Sequence, residues 1–139
     1  MTDARTNAFI NARRNRDVIG FEYAPASLEE AFDISAATIR ALNEQVGGWK
    51  VGYAPDGSAV ASPMYASGFL TSGGTWAMKQ DRPMIPEIEI AVCLALDLPK
   101  RAKPYTREDI ENAASDYLIG IELIERRIPM QSIPFPMNL

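Results

Sequence analysis

Histidine is absent from this chain of 139 residues. The commonest metal ligand and the commonest general base at neutral pH are therefore missing, so metal binding or proton transfer falls to carboxylates, Lys or Tyr. A Ser-His-Asp site within the chain is excluded. Cysteine is nearly absent too. Cys93 stands alone in the apolar run Ile90 to Leu96; no intrachain disulfide is possible, a reducing compartment fits, and burial as a small hydrophobe is expected. That run of seven residues is the longest clean apolar stretch, far below the ~20 residues a helix needs to span a bilayer. No apolar segment follows Met1-Thr2-Asp3-Ala4-Arg5-Thr6 as it would in a secretory leader. The expected location is the cytoplasm, with no membrane partner. Basic charge is in short supply, with 14 Lys and Arg against 18 Asp and Glu and a net charge of -4. Without a basic run or an aromatic-interleaved basic stripe, nucleic acid is not an expected partner.

What is present is 47% hydrophobic, enough for one globular domain over 1–139 with a core of its own. Asp3 to Arg16 carries Ala4, Ala8, Phe9 and Ala12 among Arg and Asn, a modest helical pattern. Ser27-Leu28-Glu29-Glu30 has the form of a capping box. Behind it Leu28, Phe32, Ser35, Ile39, Leu42 and Val46 recur near every 3.6 residues, and Gly47-Gly48 is the expected stop. From Trp49 the period shortens. Trp49 to Tyr53 predicts a strand ended by the turn Pro55-Asp56-Gly57, and Ser72-Gly73-Gly74 predicts a hairpin between Phe69–Thr71 and Thr75–Met78. Glu87 to Leu96 predicts a further strand that enters a sheet interior. Thr106 to Asp109 starts a helix with Ile110, Ala113, Ala114 and Tyr117 inward, and Leu118 to Ile124 is again strand-like. The order helix, helix, strands, helix, strand favours an α+β fold over a doubly wound sheet. The twelve residues after Arg127 hold Pro129, Pro134 and Pro136 and close no element.

Three carboxylates stand where apolar residues are expected. Glu87-Ile88-Glu89 puts two of them on one face of a strand, roughly 7 Å apart along it. Glu122 is embedded in Ile119-Gly120-Ile121-Glu122-Leu123-Ile124, where burial without a partner costs several kcal/mol. Two such groups at ~4 Å repel by about 4 kcal/mol at an effective dielectric near 20, which a divalent cation would reverse. Oxygen-only ligation points to Mg²⁺ or Mn²⁺ rather than Zn²⁺. The competing account is plain: Glu-x-Glu is commonly the solvated face of an amphipathic strand.

Gly48-Trp49-Lys50-Val51-Gly52, Gly68-Phe69-Leu70, Pro86-Glu87-Ile88-Glu89-Ile90-Ala91, Asp97-Leu98-Pro99, Tyr105-Thr106 and Gly120-Ile121-Glu122-Leu123 follow one another in this order. The series resembles that of the fumarylacetoacetate hydrolase superfamily, in its 2-keto-4-pentenoate hydratase branch and the related decarboxylases. The resemblance implies Glu87, Glu89 and Glu122 as ligands of Mg²⁺ or Mn²⁺, and Lys50 as a catalytic lysine lining the substrate cavity. Tyr65 and Arg127 are weaker candidates for substrate contact. The implied fold is a helical segment over 1–47 followed, over 48–139, by part of a mixed β-roll. The implied reaction adds water to a 2-hydroxy-2,4-dienoate in the catabolism of aromatic compounds. A 2-keto acid decarboxylase, or a non-catalytic fragment or assembly subunit, is the alternative. Superfamily members that hydrolyse carbon-carbon bonds commonly use a His with a Glu, which this chain lacks; hydratases do not need it. Two departures stand out. Arg126 replaces a Ser that often precedes the family's Arg, and family members continue into a second half beyond a segment like Pro134 to Leu139. The chain is expected to be a truncated one, with open strand edges and exposed apolar surface that favour a homo-oligomer.

Overall fold

A computed structural model describes residues 3–54, 56–79 and 84–129. The chain is α+β: two N-terminal helices precede two small antiparallel sheets of two strands each. It divides into two compact units, one formed by Met1–Ala77 with Arg126–Leu139 and the other by Met78–Glu125.

The first unit opens with α1 (Ala4–Asn15), capped by Asp3, whose Oδ1 accepts from the Thr6 amide at 2.7 Å. The turn places Asp3 where a helix leaves its first amides unsatisfied, and the carboxylate is held below its usual range chiefly by that backbone amide. Helix α2 (Leu28–Leu42) begins at Ser27, whose hydroxyl accepts from the Glu30 amide at 3.1 Å, while Glu30 reaches back to the Ala26 amide at 2.6 Å. Its end differs from the expectation. Asn43 stops it in the left-handed region at φ 55, a conformation an Asn tolerates at a helix C-terminus.

The two helices pack on each other through Thr6, Ile10 and Ala12 of α1 and Ile34 and Thr38 of α2, all buried. An Arg5–Glu30 ion pair joins them at the rim. The stripe expected to face inward on α2 is turned aside, because Ile34 and Thr38 take the packed face. Leu28 and Ile39 are half-buried and Phe32 is exposed.

Gly47 and Gly48 are strand residues, not a helix stop. They belong to β1 (Val46–Tyr53), where Phe69 and the backbone of Ala66 come so close that a Cβ on Gly47 would lie 2.7 Å from the Ala66 Cα. Strand β2 (Ala59–Tyr65) returns antiparallel, pairing Lys50 with Ser62 and Val51 with Ala61. Gly57, at φ 82, closes the turn by donating to the Ala54 carbonyl at 2.8 Å, and Ala54 donates to Ser58 at 2.9 Å. Pro55 lies outside the described residues. The second expected hairpin is a turn without strands. Gly73 (φ 85) and the Gly74-to-Thr71 hydrogen bond at 2.9 Å make the bend, but Phe69–Thr71 and Thr75–Met78 form no ladder.

The second unit is a long hairpin-like pair with a small helix between its strands. Strand β3 (Ile85–Leu94) runs antiparallel to β4 (Ala114–Ile124), and α3 (Arg107–Ala113) ends directly where β4 begins. A full capping box starts α3, with Asp109 donating from its amide to Thr106 Oγ1 at 3.1 Å and Thr106 donating to the Asp109 carboxylate at 2.8 Å. Three expectations are corrected here. The helix is seven residues long, so Ala114 and Tyr117 are strand residues. β3 starts earlier and ends at Leu94 rather than Leu96. Neither strand lies in a sheet interior: Ile88 and Ile119 are each 82% exposed, and Cys93 is only half-buried. Among the described residues no helix is long and apolar enough to cross a membrane.

Candidate metal centre

The register of β3 against β4 decides where the three glutamates go. Glu87 lies directly opposite Glu122, and Glu89, two residues along, lies opposite Gly120. Side chains alternate across a strand, so Glu87, Glu89 and Glu122 project from one face of this two-stranded sheet while Ile88, Ile90, Ile119 and Ile121 project from the other. One carboxylate oxygen from each glutamate lies within 4.8 Å of the others. Glu87 is exposed; Glu89 and Glu122 are half-buried. The three carboxylates thus come near one another, while Glu122, expected to be buried, is half-buried, its sheet having only two strands.

The donor set fits a hard divalent cation. An octahedral ion bound at about 2.1 Å holds its ligand oxygens roughly 3.0–4.2 Å apart, so small side-chain rotations would bring the three onto one Mg²⁺ or Mn²⁺, with water filling the remaining positions. Two paired strands are a suitable frame. Their hydrogen-bonded ladder fixes the Cα positions of all three residues, leaving only side-chain torsions to adjust.

The remaining candidates are in the first unit. Lys50 is half-buried on β1, on the strand face shared with Gly48 and Gly52. Tyr65 ends β2 with the Arg13 guanidinium 4.4 Å from its ring centroid, and both line a small cavity of about 90 Å³ with Leu28, Phe32 and Ser35. That stacking gives Tyr65 a packing role in its own unit. Arg127, half-buried, follows β4, and its carbonyl accepts from the Ile19 amide at 2.8 Å. Sequence reasoning did not find the apolar groove of about 510 Å³ between α2 and the β1–β2 hairpin, lined by Phe32, Ile39, Val46, Trp49 and Pro63 with Arg40 at its side. The signal for it was Trp49 on the strand face opposite Lys50.

No family model, curated protein or solved structure matches the chain.

Proposed function

We propose that the chain provides the metal-binding part of a hydratase that adds water to a 2-hydroxy-2,4-dienoate of the 2-keto-4-pentenoate type, within the catabolism of aromatic compounds in the cytoplasm. On this reading the two hairpins are part of a mixed β-roll, and Glu87, Glu89 and Glu122 hold Mg²⁺ or Mn²⁺. The single observation that carries it is the approach of three carboxylate oxygens, drawn from two strands, to within 4.8 Å of one another. The order of sequence motifs supports the reaction class.

Bound there, the ion would supply Lewis acidity toward a substrate carboxylate and its neighbouring keto oxygen. The chain's own contribution is positional. Glu87 and Glu122 set one ligand on each strand of the ladder, and Glu89 adds a third on the same face. For Lys50 as a proton donor or acceptor, and for Tyr65 and Arg127 at the substrate, the support is the resemblance of the sequence alone. A decarboxylase of 2-keto acids would use the same three ligands.

A second reading has its own observation. The β3–β4 sheet leaves Ile88 82% and Ile90 79% exposed, as expected of a fragment or assembly subunit that keeps the ligands without a closed cavity. Calorimetric titration with Mn²⁺ and the ultraviolet loss of a 2-hydroxydienoate separate the two. The hydratase reading expects one Mn²⁺ per chain, abolished in Glu89→Gln, and turnover only with Mg²⁺. Metal uptake without turnover selects the second reading. A folded chain that takes up no Mn²⁺ removes the metal-dependent function.

A further inference from the structure

The stripe of α2 that does not pack on α1 faces the β1–β2 hairpin. Leu28, Phe32, Ser35 and Ile39 stand three or four residues apart on it. The sheet meets it with the face on which Trp49 pairs with Pro63, and Tyr65 lies two residues further along β2 on the same side. The two surfaces do not close on each other. They leave the cavity of about 90 Å³ and the groove of about 510 Å³, and Phe32 and Pro63 line both. The two spaces differ in character. The groove is apolar apart from Arg40 at its side, and Trp49 on its wall is 61% exposed. The cavity is bounded by a cation, Arg13 of the last turn of α1, which stacks on the Tyr65 ring. Among the described residues the Arg13 guanidinium has no hydrogen bond or ion pair, and no Asp or Glu lines either space.

We infer that the two spaces form one binding site for a small amphipathic carboxylic acid, with its carboxylate in the cavity on Arg13 and its hydrocarbon body in the groove along Phe32 and Trp49. Charge is the first argument. Stacking on Tyr65 occupies a flat face of the guanidinium and leaves the N–H groups around its edge to donate, and a carboxylate accepts two of them at once. Ser35, on the cavity wall, brings a hydroxyl that can donate a third hydrogen bond. Size is the second argument. At ~30 Å³ per water the cavity has room for about three waters, which suits a carboxylate and shuts out a helix or a strand. The groove falls within the roughly 300–1,000 Å³ of pockets that take small molecules. An apolar protein segment laid over the hairpin would cover the groove and leave the Arg13 charge unanswered. The site lies wholly within the first unit and uses none of Glu87, Glu89 and Glu122, so it is independent of the metal-dependent reaction.

Titration of the full chain with octanoate, followed through the indole N–H resonances of its two tryptophans, tests the inference. One octanoate per chain is expected, shifting the Trp49 signal and leaving that of Trp76 in place. Arg13→Gln should weaken binding by about tenfold or more with the circular dichroism unchanged, because the charged hydrogen bonds are lost. Ala36→Leu narrows the groove without altering charge and should weaken binding likewise. Octanol, which has the chain without the charge, and acetate, which has the charge without the chain, should each bind at least about tenfold more weakly than octanoate. Octanoate that leaves Trp49 unmoved at millimolar concentration overturns the inference. So does octanol that binds as tightly, binding that ignores both variants, or an affinity removed by Arg40→Gln and kept in Arg13→Gln.

Discussion

The two antiparallel pairs of this chain differ in what stands behind them. β1–β2 shares its unit with a helix pair whose contact buries Ile10, Ala12 and Ile34, and α2 touches β2 directly. β3–β4 has only α3 within its unit, and Ala113 is the one buried hydrophobic residue described there. The longer ladder thus has the smaller core. Strand pairing satisfies the backbone, but the hydrophobic contribution comes from a covering layer, which the second unit lacks within itself. Its stability therefore depends the more on whatever meets its two faces.

Five experiments break or sharpen that contrast. Ile34→Ala, which opens the helix–helix contact where the side chain is 6% exposed, should cost about 3 kcal/mol in urea unfolding followed by circular dichroism. Ile90→Ala, at 79% exposure, should change the stability of dilute, single chains by less than about 0.5 kcal/mol. Equal losses would mean that the second unit has a core of its own. Mn²⁺ at a hundred times its dissociation constant should stabilise the second unit by about 2.7 kcal/mol, read as slower amide exchange along β3 and β4; uniform slowing over both units would contradict a site confined to one sheet.

A smaller effect is expected at Thr38, whose Oγ1 is buried with no hydrogen-bond partner among the described residues. Thr38→Val keeps the shape and removes an unsatisfied hydroxyl, so the first unit should gain about 1 kcal/mol in the same urea experiment. The smallest effect concerns acid. The Thr106 amide, and after it the Arg101 side chain, hold the Asp109 carboxyl below its ordinary value of 3.8. A depressed carboxyl stabilises the folded form above the unfolded value, and that contribution is lost as pH falls through the lower folded value. Fraying of α3 should therefore begin only below about pH 4, and Asp109→Asn should remove this pH dependence; an unchanged profile would show that the capping box does not govern the helix end.

The parts legible in the sequence were those set by short-range chemistry. Capping at Ser27 and Thr106 follows from side-chain oxygens three residues from an amide, and the shared face of Glu87 and Glu89 follows from the two-residue period of a strand, whereas Glu122 joins them only through the register of β3 against β4, which short-range pattern does not set. Asn43 was missed as a stop because the neighbouring Gly47-Gly48 is the stronger signal, although tertiary contact with Phe69 had claimed those glycines for a strand. The onset of β4 was missed because Ile110, Ala113, Ala114 and Tyr117 satisfy a helical spacing, while the backbone turns extended at Ala114 (φ -72, ψ 135). Exposure was the least legible quantity. Hydrophobic residues in a strand imply a cover, and the sequence does not say whether the cover is in the same unit.

Gly120 occupies the fourth corner of the rectangle whose other corners are the glutamates, and a Cβ built there meets nothing within 4 Å. The room beside Glu89 is therefore kept by a missing side chain rather than by packing, and the methyl group of an alanine would enter it without disturbing a neighbour.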